Sequence, residues 1–195
     1  MIEVAVLLAG GKSQRMGRDK SRLPFGDEPL AARVYNTLGR VFPRVVVVTN
    51  QPDFPVAGAF CIGDRHPGNG PLEGLASAFE AIEADRVLLV ACDMPFLEPA
   101  LLRALASEPD DADVIAPCTP RGREPLLAIY SRRLLPVLRE RLGAGDCRVC
   151  GLIDDVRYRE IPPEALRAHD PELRSFWNLN HPEDYAQALA LLGTP

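Results

Sequence analysis

Lysine is almost missing from this 195-residue chain. Of its 22 Lys and Arg residues only two are lysines, Lys12 and Lys20, and both fall in one short stretch near the start. Long apolar runs are missing too: none approaches the roughly 20 residues that a membrane-spanning helix needs. The opening Met1-Ile2-Glu3-Val4 has no basic segment before its apolar run, so no signal peptide is expected. Five cysteines, an odd number with no export signal beside them, do not read as a disulfide framework. Cys147 and Cys150 form a C-x-x-C, but zinc needs two further ligands, and His66, His169 and His181 are scattered. No basic run is interleaved with aromatics, and the net charge is −5, which repels nucleic acid and anionic membranes at long range. The expectation is a cytoplasmic protein that binds neither, and that draws any anionic ligand to a local basic site.

What is present is an ordinary globular composition, 47% hydrophobic and 25% charged, in a length that fits one domain able to bury its own core. Apolar runs alternate with helical patterns. Val4 to Leu8 is nearly unbroken in its apolar content, as suits a central parallel strand covered on both faces. Arg44 to Thr49, with four consecutive valines, is a second strand, 59–62 a short third, and Arg86 to Cys92 another buried parallel strand. Helices are expected over 30–39, from Pro71 onward, over 98–107, over 131–142 and from 181 to the end. This is an α/β pattern.

The first strand empties into Leu8-Ala9-Gly10-Gly11-Lys12-Ser13-Gln14-Arg15-Met16-Gly17-Arg18-Asp19-Lys20. Gly10 and Gly11 lack Cβ atoms, so positive φ is open to them and their N–H groups can turn toward a closely approaching anion. Lys12, Arg15, Arg18, Lys20 and Arg22 face a single acid, Asp19. Phosphate is the expected guest. Two commoner phosphate loops fail on spacing: a G-x-x-x-x-G-K-S loop needs glycine at position 6, which is Val6, and the glycines do not fit G-x-G-x-x-G.

Further along, Asp64 stands just past the short strand, and Gly70-Pro71-Leu72-Glu73-Gly74 opens a helix with proline at its first position. Asp93 follows directly on the strand ending at Cys92. In open α/β sheets ligands lie beyond the carboxyl ends of the strands, and a carboxylate placed there can hold Mg²⁺, which shares its other sites with phosphate oxygens and water. The rival reading, that Asp93 caps the next helix, has Pro95 and Phe96 in its way. Arg148 reads equally as an anion contact or a plain surface arginine, and Asn180 equally as a substrate contact or a helix cap.

The string from Leu8 to Lys20 resembles the L-A-G-G-x-S-x-R-M-G-x-D-K signature of nucleotidyltransferases, most closely the molybdenum cofactor guanylyltransferases. Gly70 to Gly74 is similar to that family's G-P-L-x-G segment, and Phe176 to Asp184 to its F-x-N-x-N-x-P-E-D form. The resemblance implies a three-layer, Rossmann-like nucleotidyltransferase fold with a mostly parallel mixed sheet. It implies one domain over 1–195, with a nucleotide-binding half to about 110 and an acceptor half from about 111. The implied activity is transfer of GMP from GTP to the phosphate of molybdopterin, or its molybdenum form, with Mg²⁺ as cofactor and pyrophosphate released. Arg15, Lys20 and Asp93 are then the catalytic candidates, and Asp93 the metal ligand. Leu8, Ala9, Gly10, Gly11, Lys20, Asn50, Asp64 and Asp93 bind the nucleotide, and Arg148, Asn178 and Asn180 the acceptor. Transient contacts with other cofactor-biosynthesis proteins or molybdoenzyme chaperones are implied as well. The loop and the strand-end Asp are shared with cytidylyltransferases, so a cytidylyl enzyme of the same fold stays open beside it, as does a non-catalytic nucleotide-binding adaptor.

Overall fold

The computed structural model of the protein describes residues 1–10 and 19–192. Gly11 and Arg15, two of the expected site residues, lie outside the described residues, as does Lys12.

In chain order the elements are β1 (Val4–Leu8), β2 (Pro24–Phe25), β3 (Glu28–Pro29), α1 (Leu30–Gly39), β4 (Arg44–Val48), β5 (Phe60–Ile62), α2 (Pro71–Ala81), β6 (Arg86–Ala91), α3 (Pro99–Ala106), β7 (Val114–Thr119), β8 (Gly122–Arg123), β9 (Leu127–Ser131), α4 (Leu135–Gly143), α5 (Val149–Asp154), β10 (Tyr158–Ile161), α6 (Pro163–Arg167) and α7 (Pro182–Leu192). The main sheet has the order β10-β7-β9-β6-β1-β4-β5, with β8 pairing with β7. All neighbours on this path are parallel except β9, which runs antiparallel to both β6 and β7. The sheet is thus mixed and mostly parallel. The β6 segment, expected as simply parallel, is parallel to β1 on one side and antiparallel to β9 on the other; an apolar run carries no sign of strand direction.

Helices cover both faces. One core joins Val34 and Leu38 of α1, Leu101, Leu102 and Leu105 of α3 and Leu166 of α6 to the sheet. The other joins Leu72, Leu75 and Phe79 of α2, Leu138 and Leu142 of α4, and Leu152 and Ile153 of α5 to the opposite face. Strands buried on both sides must be apolar at nearly every position, which is why β1 and β4 do not alternate. A third, smaller cluster packs Leu23, Phe25 and Leu30 against Leu179 and Ala188. It fastens α7 and the segment before it to the chain that follows Lys20. The Phe25 ring meets Phe96 edge-on at 5.7 Å, an arrangement that ring quadrupoles favour.

Local chemistry set most helix ends. Pro71, Pro99 and Pro163 each occupy a first turn, where a missing N–H leaves no ladder bond unmade. The helix expected over 131–142 begins instead as a tight turn at Arg132–Leu134, with the Ser131 side chain accepting from the Arg133 N–H, before α4 proper. Asp146 stands outside α5 and accepts from the N–H of Arg148 in the turn ahead of it. No helix among the described residues is long and apolar enough to cross a membrane.

An ion pair ties α2 to α4. Glu73, with 0% of its side chain exposed, accepts from Arg139 at 2.9 Å, and the same guanidinium reaches Glu80 at 2.6 Å. Burial alone would raise the Glu73 carboxyl, but the Arg139 hydrogen bond and charge outweigh it and hold the carboxyl below its ordinary value of 4.5. A lowered carboxylate contributes stability that is present above the unfolded value and is lost as pH falls through the folded one. Removing the guanidinium leaves burial in charge, so the Glu73 carboxyl then rises instead. Arg139→Met is expected to destabilise the fold by about 3 kcal/mol at neutral pH, as an uncompensated buried charge does. The gap to the parent should narrow as pH falls through a window that spans 4.5, because Glu73 takes up a proton in the variant before it does in the parent. Urea titrations at pH 7 and pH 4 measure it, and a pH-independent gap contradicts the assignment.

Candidate functional site

Register places the site. Leu8 lies beside Val48 on one side and Ala91 on the other, so β1, β4 and β6 end together on one edge of the sheet. The residues that follow (Gly10, Asn50 and Asp93) emerge there around a cleft of about 590 Å³, a volume within the usual span of ligand pockets. Lys20 and Asp64 border the same cleft, as do the glycine-rich turn before α2 and Leu126 across the sheet. Six of the nucleotide candidates, Leu8, Ala9, Gly10, Asn50, Asp64 and Asp93, are therefore brought together with Lys20.

Lys20 is the centre of the arrangement. Its ammonium donates to Asp93 Oδ2 at 3.0 Å and to Asn180 Oδ1 at 3.0 Å, joining residues 73 and 160 positions away. Both members of the ion pair are mostly enclosed, with 16% and 17% of their side chains exposed. Asp19 fixes the backbone around Lys20, because its carboxylate accepts from both the N–H and the hydroxyl of Ser21. Asp93 is held in turn by its carbonyl, which accepts from the Leu179 N–H at 2.9 Å. The C-terminal segment is thereby laid against the strand-end carboxylate.

Within the loop backbone the donors divide. The Ala9 N–H is committed to Val48 O at 2.9 Å, the Ala9 carbonyl takes the Thr49 hydroxyl, and the Leu8 carbonyl takes the Cys92 N–H. These bonds knit three strand ends together and take the Ala9 N–H out of the pool available to a ligand. Gly10 N–H has no partner among the described residues, and Gly10 does not adopt positive φ. The expected left-handed turn is absent at that glycine, and its bare backbone faces Asp64, whose Oδ2 would lie 3.9 Å from an added Cβ.

Asn50 and Asp64 form a unit on the far side. The Asp64 N–H donates to Asn50 Oδ1 at 3.0 Å, and the Asn50 amide reaches back to Asp64 Oδ2. Gly63 between them leaves room for this pair, since a Cβ there would sit 2.9 Å from Asn50 Oδ1 and the amide would have to shift. Burial pushes the Asp64 carboxyl up, the Glu73 charge adds to this, and the Asn50 hydrogen bond opposes it. Its Oδ1 is buried with no hydrogen-bond partner. Buried polar atoms in folded proteins are nearly always paired, so an unpaired one lining a cleft is where a ligand donor fits.

The acceptor candidates separate. Asn180 sends its side chain to Lys20, while Asp184 takes the Asn180 and His181 N–H groups at the start of α7. The capping that Asn180 was expected to share is thus done by Asp184. Asn178 has its Oδ1 buried and unpartnered. Arg148 is not brought to the cleft: its side chain is 81% exposed and bonds to Asp146, drawing that carboxyl down to about 2. Cys92 borders the cleft too, but burial first and Asp93 second push its thiol up to about 12, which rules it out as a nucleophile near neutral pH.

Asp19 and the turn at 66–69 were not expected from sequence as site residues. Gly68 and Gly70 have φ of 104° and 75°, and the run His66-Pro67-Gly68-Asn69-Gly70 is a turn signal that could have pointed to a cleft wall.

For a metal, the chemistry of the donors decides the fit. The hydrogen bonds of the Asp93 carboxylate among the described residues fall on Oδ2, leaving Oδ1 uncommitted, and Asp19 borders the same space. Among the described residues no three His, Cys, Asp or Glu gather as a metal cage. One or two hard carboxylates with room for phosphate oxygens is the donor set that suits Mg²⁺.

The match to known proteins is extensive. A family model described as a MobA-like NTP transferase domain matches residues 5–155. The chain belongs to this family. A Chloroflexus aggregans protein named "probable molybdenum cofactor guanylyltransferase" is 36% identical, the match covering 100% of this chain and 97% of that one. A molybdenum cofactor guanylyltransferase of Desulfosudis oleivorans is 33% identical over 96% of this chain and 94% of its own. The crystal structure of molybdopterin-guanine dinucleotide biosynthesis protein A from Archaeoglobus fulgidus superposes with a TM-score of 0.86 at 26% identity, covering 97% of this chain and 98% of that one. This MobA-like chain therefore has the nucleotidyltransferase fold, and the antiparallel β9 lies within it.

Gly74 tests the cleft wall directly. A Cβ there would meet Leu8 Cδ2 at 2.7 Å and Asp64 Oδ1 at 3.5 Å. The end of the Leu8 side chain can move, and alanine is favoured over glycine within a helix by about 1 kcal/mol, so the fold should lose little. The displaced leucine goes into the cleft. Gly74→Ala is expected to leave the melting temperature within a few degrees of the parent and to weaken GTP binding about tenfold, read by calorimetry; unchanged affinity contradicts the placement.

Proposed function

We propose that the chain transfers the GMP unit of GTP to the phosphate of molybdopterin, in its free or molybdenum form, releasing pyrophosphate. The observation that carries this reading is the Lys20 ammonium bridging the strand-end Asp93 and Asn180 in the cleft, within a chain of the MobA-like family whose full-length relatives bear the guanylyltransferase name. We take the 195 residues to act as one domain, and the protein to work in the cytoplasm.

The chemistry asks for charge neutralisation and alignment more than for proton transfer. An oxygen of the acceptor phosphate forms a bond to the α-phosphorus, the bond from that phosphorus to its bridging oxygen breaks, and pyrophosphate leaves with the electron pair. A phosphate monoester is already ionised near neutral pH, so no general base is needed. The barrier comes from bringing one anion to another. Lys20, held from two sides before substrate arrives, offsets phosphate charge without reorganisation. Gly10 offers its N–H, and Gly11 and Arg15 are assigned supporting contacts on the same phosphates. Asn50 and Asp64 receive ligand donors at the far wall, where Asp64 Oδ1 is unpaired. Asn178 and Asn180 are assigned to the acceptor side, and Arg148 is not carried forward. Asp93 would hold Mg²⁺, which supplies Lewis-acid neutralisation of the triphosphate.

Removing one preorganised charge costs about 10²–10³ in turnover. Lys20→Ala and Asp93→Ala are each expected to lose at least that in a pyrophosphate-release assay with GTP, Mg²⁺ and molybdopterin, while retaining the parent far-ultraviolet circular dichroism. Full turnover by either variant refutes its role. Titration calorimetry should show GTP bound more tightly than CTP or ATP, with the affinity dropping on Mg²⁺ removal by chelation; a preference for CTP would make the chain a cytidylyltransferase.

A further inference from the structure

A second cavity, of about 480 Å³, lies beside the nucleotide cleft and takes no part in the reading above. Its wall holds three arginines, Arg121, Arg167 and Arg174, together with Trp177, the chain's single tryptophan. Against these it has one acid, Glu172, so its formal charge is +2 in a chain of net −5. The guanidiniums are positioned but not used up. Arg121 donates to Phe176 O, Arg167 to Pro171 O at 2.7 Å, and Arg174 reaches Glu172 at 2.6 Å. Each guanidinium has five N–H donors, so these bonds leave most of them for a ligand.

The loop that carries Arg174 and Trp177 is built rigidly. Asp170, 2% exposed, accepts from the N–H groups of Arg174 at 3.1 Å and Ser175 at 2.8 Å. Ser175 in turn accepts from Glu98 N–H at 2.9 Å. Trp177 packs on Phe96 at 5.8 Å between ring centroids, which fixes the indole while leaving it half-buried at the cavity wall. The nearby carboxyl of Glu124 has its own donor in the Thr119 hydroxyl at 2.8 Å.

Position gives the cavity its meaning. Thr119 ends β7, which runs in the same direction as β6, since both are antiparallel to β9. The cavity therefore opens on the edge of the sheet that bears Asp93, two strand spacings or about 10 Å away. Two residues beyond Trp177, the Leu179 N–H bonds to the Asp93 carbonyl. A molecule with its phosphate at Lys20 and Asp93 can extend its other end into this cavity.

We propose that Arg121, Arg167, Arg174 and Trp177 form the subsite for the ring end of the acceptor, and that the ligand class it takes is an anionic pterin, the ring lying on the indole and its negative substituents on the arginines. Guanidinium groups suit anions presented in a plane, and indole is the strongest of the aromatic platforms. The proposal rests on the acceptor being molybdopterin.

The single tryptophan makes the test direct, because its emission reports this cavity alone. Titration of the whole protein with pterin-6-carboxylate should quench Trp177 emission saturably. Arg174→Ala and Arg121→Ala should each weaken that binding by about tenfold or more, as loss of a charge-assisted hydrogen bond does. The same variants should raise the KM for molybdopterin by a similar factor and leave the KM for GTP unchanged. If Arg174→Ala does not fold, Arg167→Ala provides the same comparison. Absence of saturable quenching overturns the proposal, as does quenching that the arginine variants do not alter, or inorganic phosphate binding as tightly as the pterin. Pterin binding of this kind in a protein that transfers no GMP to molybdopterin would leave the subsite standing and remove the proposed activity instead.

Discussion

A largely enclosed ammonium gripped by a carboxylate from the middle of the sequence and an amide 160 positions away is the constraint on which the remainder of this structure turns. Lys20 belongs to the segment that follows the glycine loop, Asp93 to the tip of a central strand, and Asn180 to the linker before the last helix. None of the three can be displaced without disturbing the others. The small cluster around Phe25 and Leu179 serves this contact, because it anchors the hairpin after Lys20 to the helix after Asn180. A long lysine side chain gives up considerable rotamer freedom when it is held in one place. Spending that freedom during folding means it is not lost again when a triphosphate arrives.

The two principal cores explain why the contact can be rigid. Strands apolar on both faces sit between helices, so β1, β4 and β6 end at a common edge and cannot slide relative to each other without opening both cores. The backbone bonds among Leu8, Ala9, Val48, Thr49 and Cys92 then weld those strand ends into a platform. On the far wall the platform meets α2, whose first turn approaches so closely that a Cβ at position 74 would have to displace the end of the Leu8 side chain. The buried Glu73–Arg139 pair lies directly behind that turn. Its charge acts on Asp64 as well, so the helix-to-helix brace and the electrostatics of the cleft are not separable.

Much of this was legible before any coordinates. The apolar run at Val4, the valine strand, proline at the start of α2, and an aspartate just beyond a buried strand are local signals with strong physical causes, and each was found where expected. Strand direction was not legible, because β9 is as apolar as the strands that run parallel to one another on either side of it. Nor was the fate of individual groups: whether Ala9 N–H is free and whether Asn180 caps or reaches out are decided by contacts between residues far apart in sequence, and whether Arg148 faces the cleft by a choice among partners. Arg148 shows the limit well, since an acid two positions earlier holds it by the shortest available path. The Glu73–Arg139 brace left no pattern at all, as its members lie 66 positions apart and each reads alone as an ordinary helix surface charge.

The near-absence of lysine also has an analytical side. The chain's two lysines, Lys12 and Lys20, supply all its side-chain amines. Acylating reagents that would decorate most proteins all over their surface therefore meet a molecule whose side-chain amines are confined to one short stretch of sequence. The extent of labelling at Lys20, which borders the cleft, becomes a measure of occupancy there, and supports coupled through side-chain amines will hold this protein by that stretch.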